Sequence, residues 1–190
     1  MQYAVSISLG IALAASSGFR IFVPLLVANV ASMLGYVTLG AGYEWMGSWP
    51  AFAVFASATV IEIAAYYIPW LDNALDTIGT PLAVVAGSLL ASSFITGMDP
   101  MLRWVLAIIV GGGSAGVIKA GAAVIRLGSS AFTAGFGNSI IATFENLISI
   151  LLSILAIIIP VIAGVFAVLF AVISFTKILK RKKQPNPDLP

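Results

Sequence analysis

Residues 138–177 read NSIIATFENLISILLSILAIIIPVIAGVFAVLFAVISFTK, and this stretch decides the fold class. Between Asn138 and Lys177 the one ionisable side chain is Glu145, and the punctuation is Pro160 and Gly164. An apolar run of about 20 residues suffices to cross roughly 30 Å of hydrocarbon as a helix. The stretch is long enough for two such crossings, and Pro160 divides it into a fifth segment, Ser139–Ile159, and a sixth, Pro160–Lys177. One long kinked helix is the alternative.

The rest of the chain has the same character. Of 190 residues 61% are hydrophobic and 8% charged, and the mean hydropathy is +1.10. A soluble domain carries about a quarter of its residues as Asp, Glu, Lys and Arg. The expected fold is therefore an all-α, polytopic helical membrane protein of about six transmembrane segments, some of them broken. This excludes a soluble globular enzyme, a disordered chain and a nucleic-acid binder. The remaining four segments are Tyr3–Leu34, Pro50–Trp70, Pro81–Gly97 and Pro100–Leu127. Pro50, Pro81 and Pro100 suit first helical turns, where an absent N–H costs nothing. Thr80 and Asp99 precede two of them as caps. The first segment is too long for one crossing, about 48 Å as a single helix, so a break is expected between Gly18 and Pro24.

Residues 1–176 read as one transmembrane domain and residues 177–190 as a basic, proline-rich tail. Five of the nine Lys and Arg residues are Lys177, Lys180, Arg181, Lys182 and Lys183. Such a run is retained on the cytoplasmic side. Six crossings then return the N-terminus to the cytoplasm of a cell inner (plasma) membrane. The N-terminal run lacks the basic start and cleavage site of a removable signal. Ser16–Arg20 echoes Ser114–Lys119, and Ala58–Glu62 echoes Ala142–Glu145. Two inverted three-helix repeats, 1–98 and 99–176, are one reading of this.

Chemistry is limited by what is absent. With no Cys and no His, disulfides, thiolate nucleophiles and imidazole ligands are excluded. A charge at mid-bilayer costs about 2.5–3.5 kcal/mol on insertion scales. Arg20, Glu62, Lys119 and Glu145 all lie in apolar segments. They are expected to face the interior and to pair, Arg20 with Glu62 and Lys119 with Glu145. The polar stretch Pro69–Pro81 carries Asp72, Asn73 and Asp76 without a nearby base. It reads as irregular backbone between helices. Asp72 and Asp76 are four apart, with Asn73 beside them, and offer hard oxygen ligands to a cation. Alternatively they cap helices in a solvated loop. Gly112 and Gly116 form a G-x-x-x-G expected to mark close helix packing. Tyr36, Tyr43, Trp45 and Trp49 read as an interfacial aromatic belt.

Three pieces carry a family resemblance: Ser17-Gly18-x-Arg20-x-x-x-Pro24-Leu25-Leu26; Glu44-Trp45-x-Gly47-Ser48-x-Pro50-Ala51; and Pro69-Trp70-x-Asp72-Asn73-x-x-Asp76-x-x-Gly79-Thr80-Pro81. Together they resemble an uncharacterised family of small prokaryotic integral membrane proteins, catalogued as a domain of unknown function. The resemblance implies a membrane fold and marks the region of a site without naming a substrate. The family pattern has an Asp where this chain has Tyr66 and an Arg where it has Ala83.

The expected function is a small transporter or channel-like protein, a homo-oligomer in the lipid bilayer. It moves a small ion or solute past Arg20, Glu62, Asp72, Asn73, Asp76, Lys119 and Glu145. No catalytic residue and no cofactor is expected, and the sequence leaves any metal open. The alternatives are a structural or assembly membrane protein without transport, and an intramembrane lipid-modifying enzyme using Asp72 and Asp76 with a divalent metal.

Overall fold

A computed structural model describes residues 2–133 and 136–182, with the side chains of residues 2, 69, 70, 72–74, 76, 136 and 177–182 outside the described set. All the regular structure in the described residues is helical. Three helical runs are long and apolar enough to cross a membrane, Thr77–Phe94, Pro100–Thr133 and Gly137–Ile158, and four shorter apolar helices accompany them.

The first segment is broken. Helix α1 spans Gln2–Ser16 and α2 spans Phe22–Met33. Pro24 sits in the first turn of α2, so position 24 has no N–H to extend a ladder back to Arg20. The chain leaves α1 by turns at Gly18 and Phe19, whose N–H groups donate to the carbonyls of Ala15 and Ser16. Helix α2 ends at Gly35, whose φ of +78° lets the N–H of Tyr36 return to the carbonyl of Ala31 at 2.9 Å. This is the glycine-terminated helix end that a Cβ would strain.

Beyond a short 3-10 turn, Glu44–Gly47, helix α3 spans Trp49–Ala65. Ser48 caps it by accepting from the N–H of Ala51. Helix α4 spans Pro69–Phe94, with Pro69 in its first turn and Pro81 inside it. This corrects the reading of Pro69–Pro81 as irregular backbone and of Pro81 as a helix start: the polar residues are helical, and Thr80 is no cap. Pro69 and Gly79 suggest helix breaks, yet Pro69 stands in the first turn of α4, where its missing N–H costs nothing, and Gly79 lies within the helix. Asp99 does cap the next helix, accepting from Met101 at 2.9 Å. That helix is continuous through α5, Pro100–Leu106, a π-helical stretch, Ala107–Gly112, and α6, Gly113–Thr133.

The last stretch is two helices, α7, Phe136–Ile158, and α8, Pro160–Lys182. Contacts along α1 change sense where they meet. Ser16 bonds to Ser149 and Ser153 while Arg20 reaches back to Ala142 and Asn146, so α7 runs against α1. Gly164 lies against Ser8 and Phe170 against Phe19, so α8 runs with it. Helix α8 extends the ordered chain to Lys182, into the basic run first read as tail, and residues 183–190 lie outside the described residues.

The distribution of side chains is that of a protein in lipid. Large apolar groups point outward, among them Ile158, Val165, Phe166, Leu169 and Phe170, while the interior holds Ala12, Ala14, Ala15, Ser16, Ser17 and Asn29. In water this would be an aggregating surface; in a bilayer, small interior residues are what let helices approach. Helix α1 lies at the centre, touching α4, α6, α7 and α8. The glycine run packs as expected. A Cβ at Gly112 or Gly116 would strike Val84 of α4, and one at Gly111 would lie 2.7 Å from the carbonyl oxygen of Gly87. Of the aromatic group, Tyr36, Trp45 and Trp49 are exposed, but Tyr43 is buried against Arg103 and Trp104.

Overpacking a tight core costs about 1–3 kcal/mol. Gly111→Val is therefore expected to lower the thermal unfolding midpoint in detergent, whereas Gly113→Val, with open space at its Cα, leaves it within error.

Candidate functional site

The break in the first helix places Arg20 at the centre of the molecule. Its guanidinium is fully buried. It donates from Nε to the Asn146 side-chain oxygen and at 2.9 Å to the Ala142 carbonyl, and it pairs with Glu145 at 3.0 Å. A second guanidinium, Arg126 of α6, grips both oxygens of the same carboxylate. Such a bidentate fork is the strongest form of the pair. Glu145 thus serves two buried arginines.

Tyr66, at the C-terminal end of α3, is 2% exposed and holds this cluster together. The Arg20 guanidinium lies 3.9 Å from its ring centroid, the Arg126 guanidinium 4.3 Å and the Lys119 ammonium 4.9 Å. The Lys119 ammonium also donates to the Tyr66 hydroxyl at 2.5 Å. Desolvated cation–π contacts contribute about 2 kcal/mol each. The side chain of Lys119 runs over Gly79 of α4, where a Cβ would lie 2.6 Å from Lys119 Cε. A larger residue at 79 would push the lysine off the tyrosine.

Glu62 is treated differently. Its two oxygens accept from the backbone N–H groups of Ile21 at 2.8 Å and Phe22 at 3.0 Å. These are the groups that the start of α2 leaves without helical partners. Arg20 and Lys119 act on Glu62 through space. The expected pairs are therefore corrected. Arg20 bonds to Glu145 and not to Glu62, and the Lys119 ammonium reaches Tyr66 and not Glu145. The helix break supplies Glu62 with backbone donors, and the approach of α7 to Arg20 brings Glu145 within reach.

The side chains of Asp72, Asn73 and Asp76 lie outside the described residues; all three fall in the first two turns of α4. Among the described residues there is no group of three or more acidic side chains that would hold a metal.

With the site in view, comparison with known proteins gives one result. Residues 7–180 match the family described as "Domain of unknown function (DUF4126)". The chain belongs to that family. No curated protein and no solved structure matches it.

In this DUF4126 chain the sequence reading overlooked Arg126, Tyr66 and Asn146. Arg126 follows Lys119 by seven residues, two helical turns on the same face. Tyr66 follows Glu62 by four, one turn further along the buried stripe of α3. Those spacings were the available signal. A hydroxyl group of α1 and α7 adjoins the cluster: Ser16 lies 2.7 Å from the Ser153 hydroxyl and donates at 2.9 Å to the Ser149 carbonyl.

Removing one member of a buried ion pair costs about 3–5 kcal/mol. Glu145→Gln leaves two buried guanidiniums without their shared carboxylate, so its unfolding in detergent is expected to show a loss of that size. A loss below 1 kcal/mol would mean that the arginines do not depend on Glu145.

Proposed function

We propose that this DUF4126 protein is a small permeation protein, a channel or transporter that moves a small ion or solute past the charged cluster around Tyr66. The observation that carries the reading is the coincidence of the cluster with a broken helix. Broken helices at membrane depth are tolerated where they line a solute path, and their ends serve as ion sites in transporters. Five ionisable groups from the α1–α2 junction, α3, α6 and α7 meet there. A buried ion network is a poor route to stability, so function accounts for it better than folding does. Lys119 and Glu62 stand at the centre of the path, with Arg20, Arg126 and Glu145 as its wall. Asp72, Asn73 and Asp76 on α4 are proposed to continue it. In this reading the protein is not an enzyme.

The chain is placed in the cell inner (plasma) membrane as a homo-oligomer. The C-terminus is proposed to be cytoplasmic, because the basic run from Lys177 to Lys183 resists translocation. Helix α8 runs in the same direction as α1, so the expected cytoplasmic N-terminus is corrected to the opposite end of the bundle. A second reading, a structural or assembly protein without transport, is favoured by one observation. Arg20, Glu62, Tyr66, Lys119, Arg126 and Glu145 are all at most 5% exposed, as a sealed strut requires.

Reconstitution into lipid vesicles separates the two readings. Permeation predicts ion or solute flux above that of protein-free vesicles, and a fall of about tenfold or more in Lys119→Met and Arg20→Gln, because a lost pore-lining charge removes the site that replaces hydration. Wild-type vesicles no leakier than empty ones, or unchanged flux in variants that still fold by size exclusion and circular dichroism, would leave the strut.

A further inference from the structure

Arg103 lies apart from the charged cluster, one turn into the long helix that starts at Pro100. Its guanidinium sits against the loop between α2 and α3. The Tyr43 ring centroid is 5.2 Å away, and a Cβ at Gly40 would lie 3.7 Å from its Nη1. Trp104 beside it is exposed and packs on Tyr43. Trp and Tyr gather where hydrocarbon meets headgroups, so Arg103 stands at headgroup depth. Among the described residues its side chain forms no ion pair, and its buried Nε has no hydrogen-bond partner. Asp99, four residues earlier, is turned to the N–H groups of Met101 and Leu102. A buried donor left without an acceptor costs about 1–3 kcal/mol, and more when it is charged.

A groove begins one turn deeper, between α1, α4 and this helix. It is lined wholly by apolar side chains, among them Ile7, Ile11, Ile95, Leu106 and Val110. Ile7, Ile11, Leu106 and Val110 are half-buried and Met98 is exposed, so the groove opens on the surface that faces lipid. A water molecule needs two to four polar partners to settle in a cavity. This groove offers none, so hydrocarbon fits it and water does not. Leu106 follows Arg103 by three residues and Val110 by seven, which puts all three on one side of the helix. At about 1.5 Å per residue they span roughly 10 Å of depth, within the ~15 Å of hydrocarbon in one leaflet. Val110 belongs to the π-helical stretch, a local widening that often accompanies functional sites.

An unpaired cation at headgroup depth, set above an apolar groove, matches a molecule with a negative head and a hydrocarbon tail. We propose that this is a binding site for one anionic phospholipid. The lipid phosphate accepts from Arg103 Nε, a charge-assisted bond for which the planar guanidinium is well shaped. One acyl chain runs along Leu106 and Val110 toward Ile7 and Ile11. A zwitterionic lipid brings its own ammonium beside the guanidinium and loses most of the attraction, so the site selects a net negative headgroup. The site is independent of the permeation reading, since a channel and a sealed strut can both carry such a lipid.

The test is a lipid count on the full-length chain, extracted in mild detergent from vesicles of equal phosphatidylcholine and phosphatidylglycerol. A wash in 1 M sodium chloride cuts the screening length to about 3 Å and strips lipid held only by long-range attraction to the basic run after Lys177. The lipid that stays is counted by mass spectrometry. The wild type is expected to keep phosphatidylglycerol about fivefold or more over phosphatidylcholine. Arg103→Gln removes the charge and is expected to bring that ratio to about one. Val110→Phe fills the groove, leaves Arg103 in place and is expected to lower the retained phosphatidylglycerol about twofold or more. Equal retention of the two lipids by the wild type overturns the site. So does an unchanged ratio in a folded Arg103→Gln, or unchanged phosphatidylglycerol in a folded Val110→Phe. If either variant does not fold, the wild-type ratio and the other variant decide.

Discussion

A guanidinium without a partner in the middle of this bundle would be ruinous, and the architecture is arranged around avoiding that. Arg20 has no exposed surface, and Arg126 has almost none. Each finds Glu145, and each stacks on Tyr66. For Arg20 to get there, the first helix must stop at Ser16 and restart at Phe22. The break in turn frees the N–H groups that Glu62 takes up. One helix break thus positions two buried charges, Arg20 at the junction and Glu62 on the N–H groups it frees.

The bundle that holds this network is built from small residues. Alanine, serine and glycine line α1, and Gly111, Gly112 and Gly116 bring the long helix against Gly87, Val84 and Ser88 of α4. In lipid there is no hydrophobic drive to pull helices together, so close approach and interhelical hydrogen bonds take its place. The Ser16, Ser149 and Ser153 hydroxyls supply such bonds at the end of α1. The polar core and the small-residue core are therefore one design: backbones that come close enough to share hydroxyls also exclude lipid from the charges.

The network joins the two halves of the chain. Arg20 belongs to the first and Glu145 to the second, while Lys119 of the second reaches Tyr66 of the first. Arg126 and Glu145 pair within the second half, but Arg20 of the first reaches its carboxylate only across the halves. Burial of Arg20 against Glu145 therefore depends on the two halves coming together.

Hydropathy alone determined that the chain is helical and lies in a membrane, because a run such as residues 138–177 has no other stable home. The sequence also placed the break before Pro24, the turn at Pro160 and the glycine contact, since each follows from a residue's own backbone chemistry. It marked Arg20, Glu62, Lys119 and Glu145 as interior, since their cost in lipid does not depend on their neighbours. Partner choice was another matter. Which carboxylate serves which base depends on how α1, α6 and α7 approach one another, and only the tertiary structure sets that. The same is true of Pro69–Pro81. Its polar composition is equally consistent with a loop and with a helix, and only the structure shows it as the start of α4, with Lys119 packed over Gly79. Local chemistry fixes what a segment cannot do, while the neighbours it meets choose among what remains.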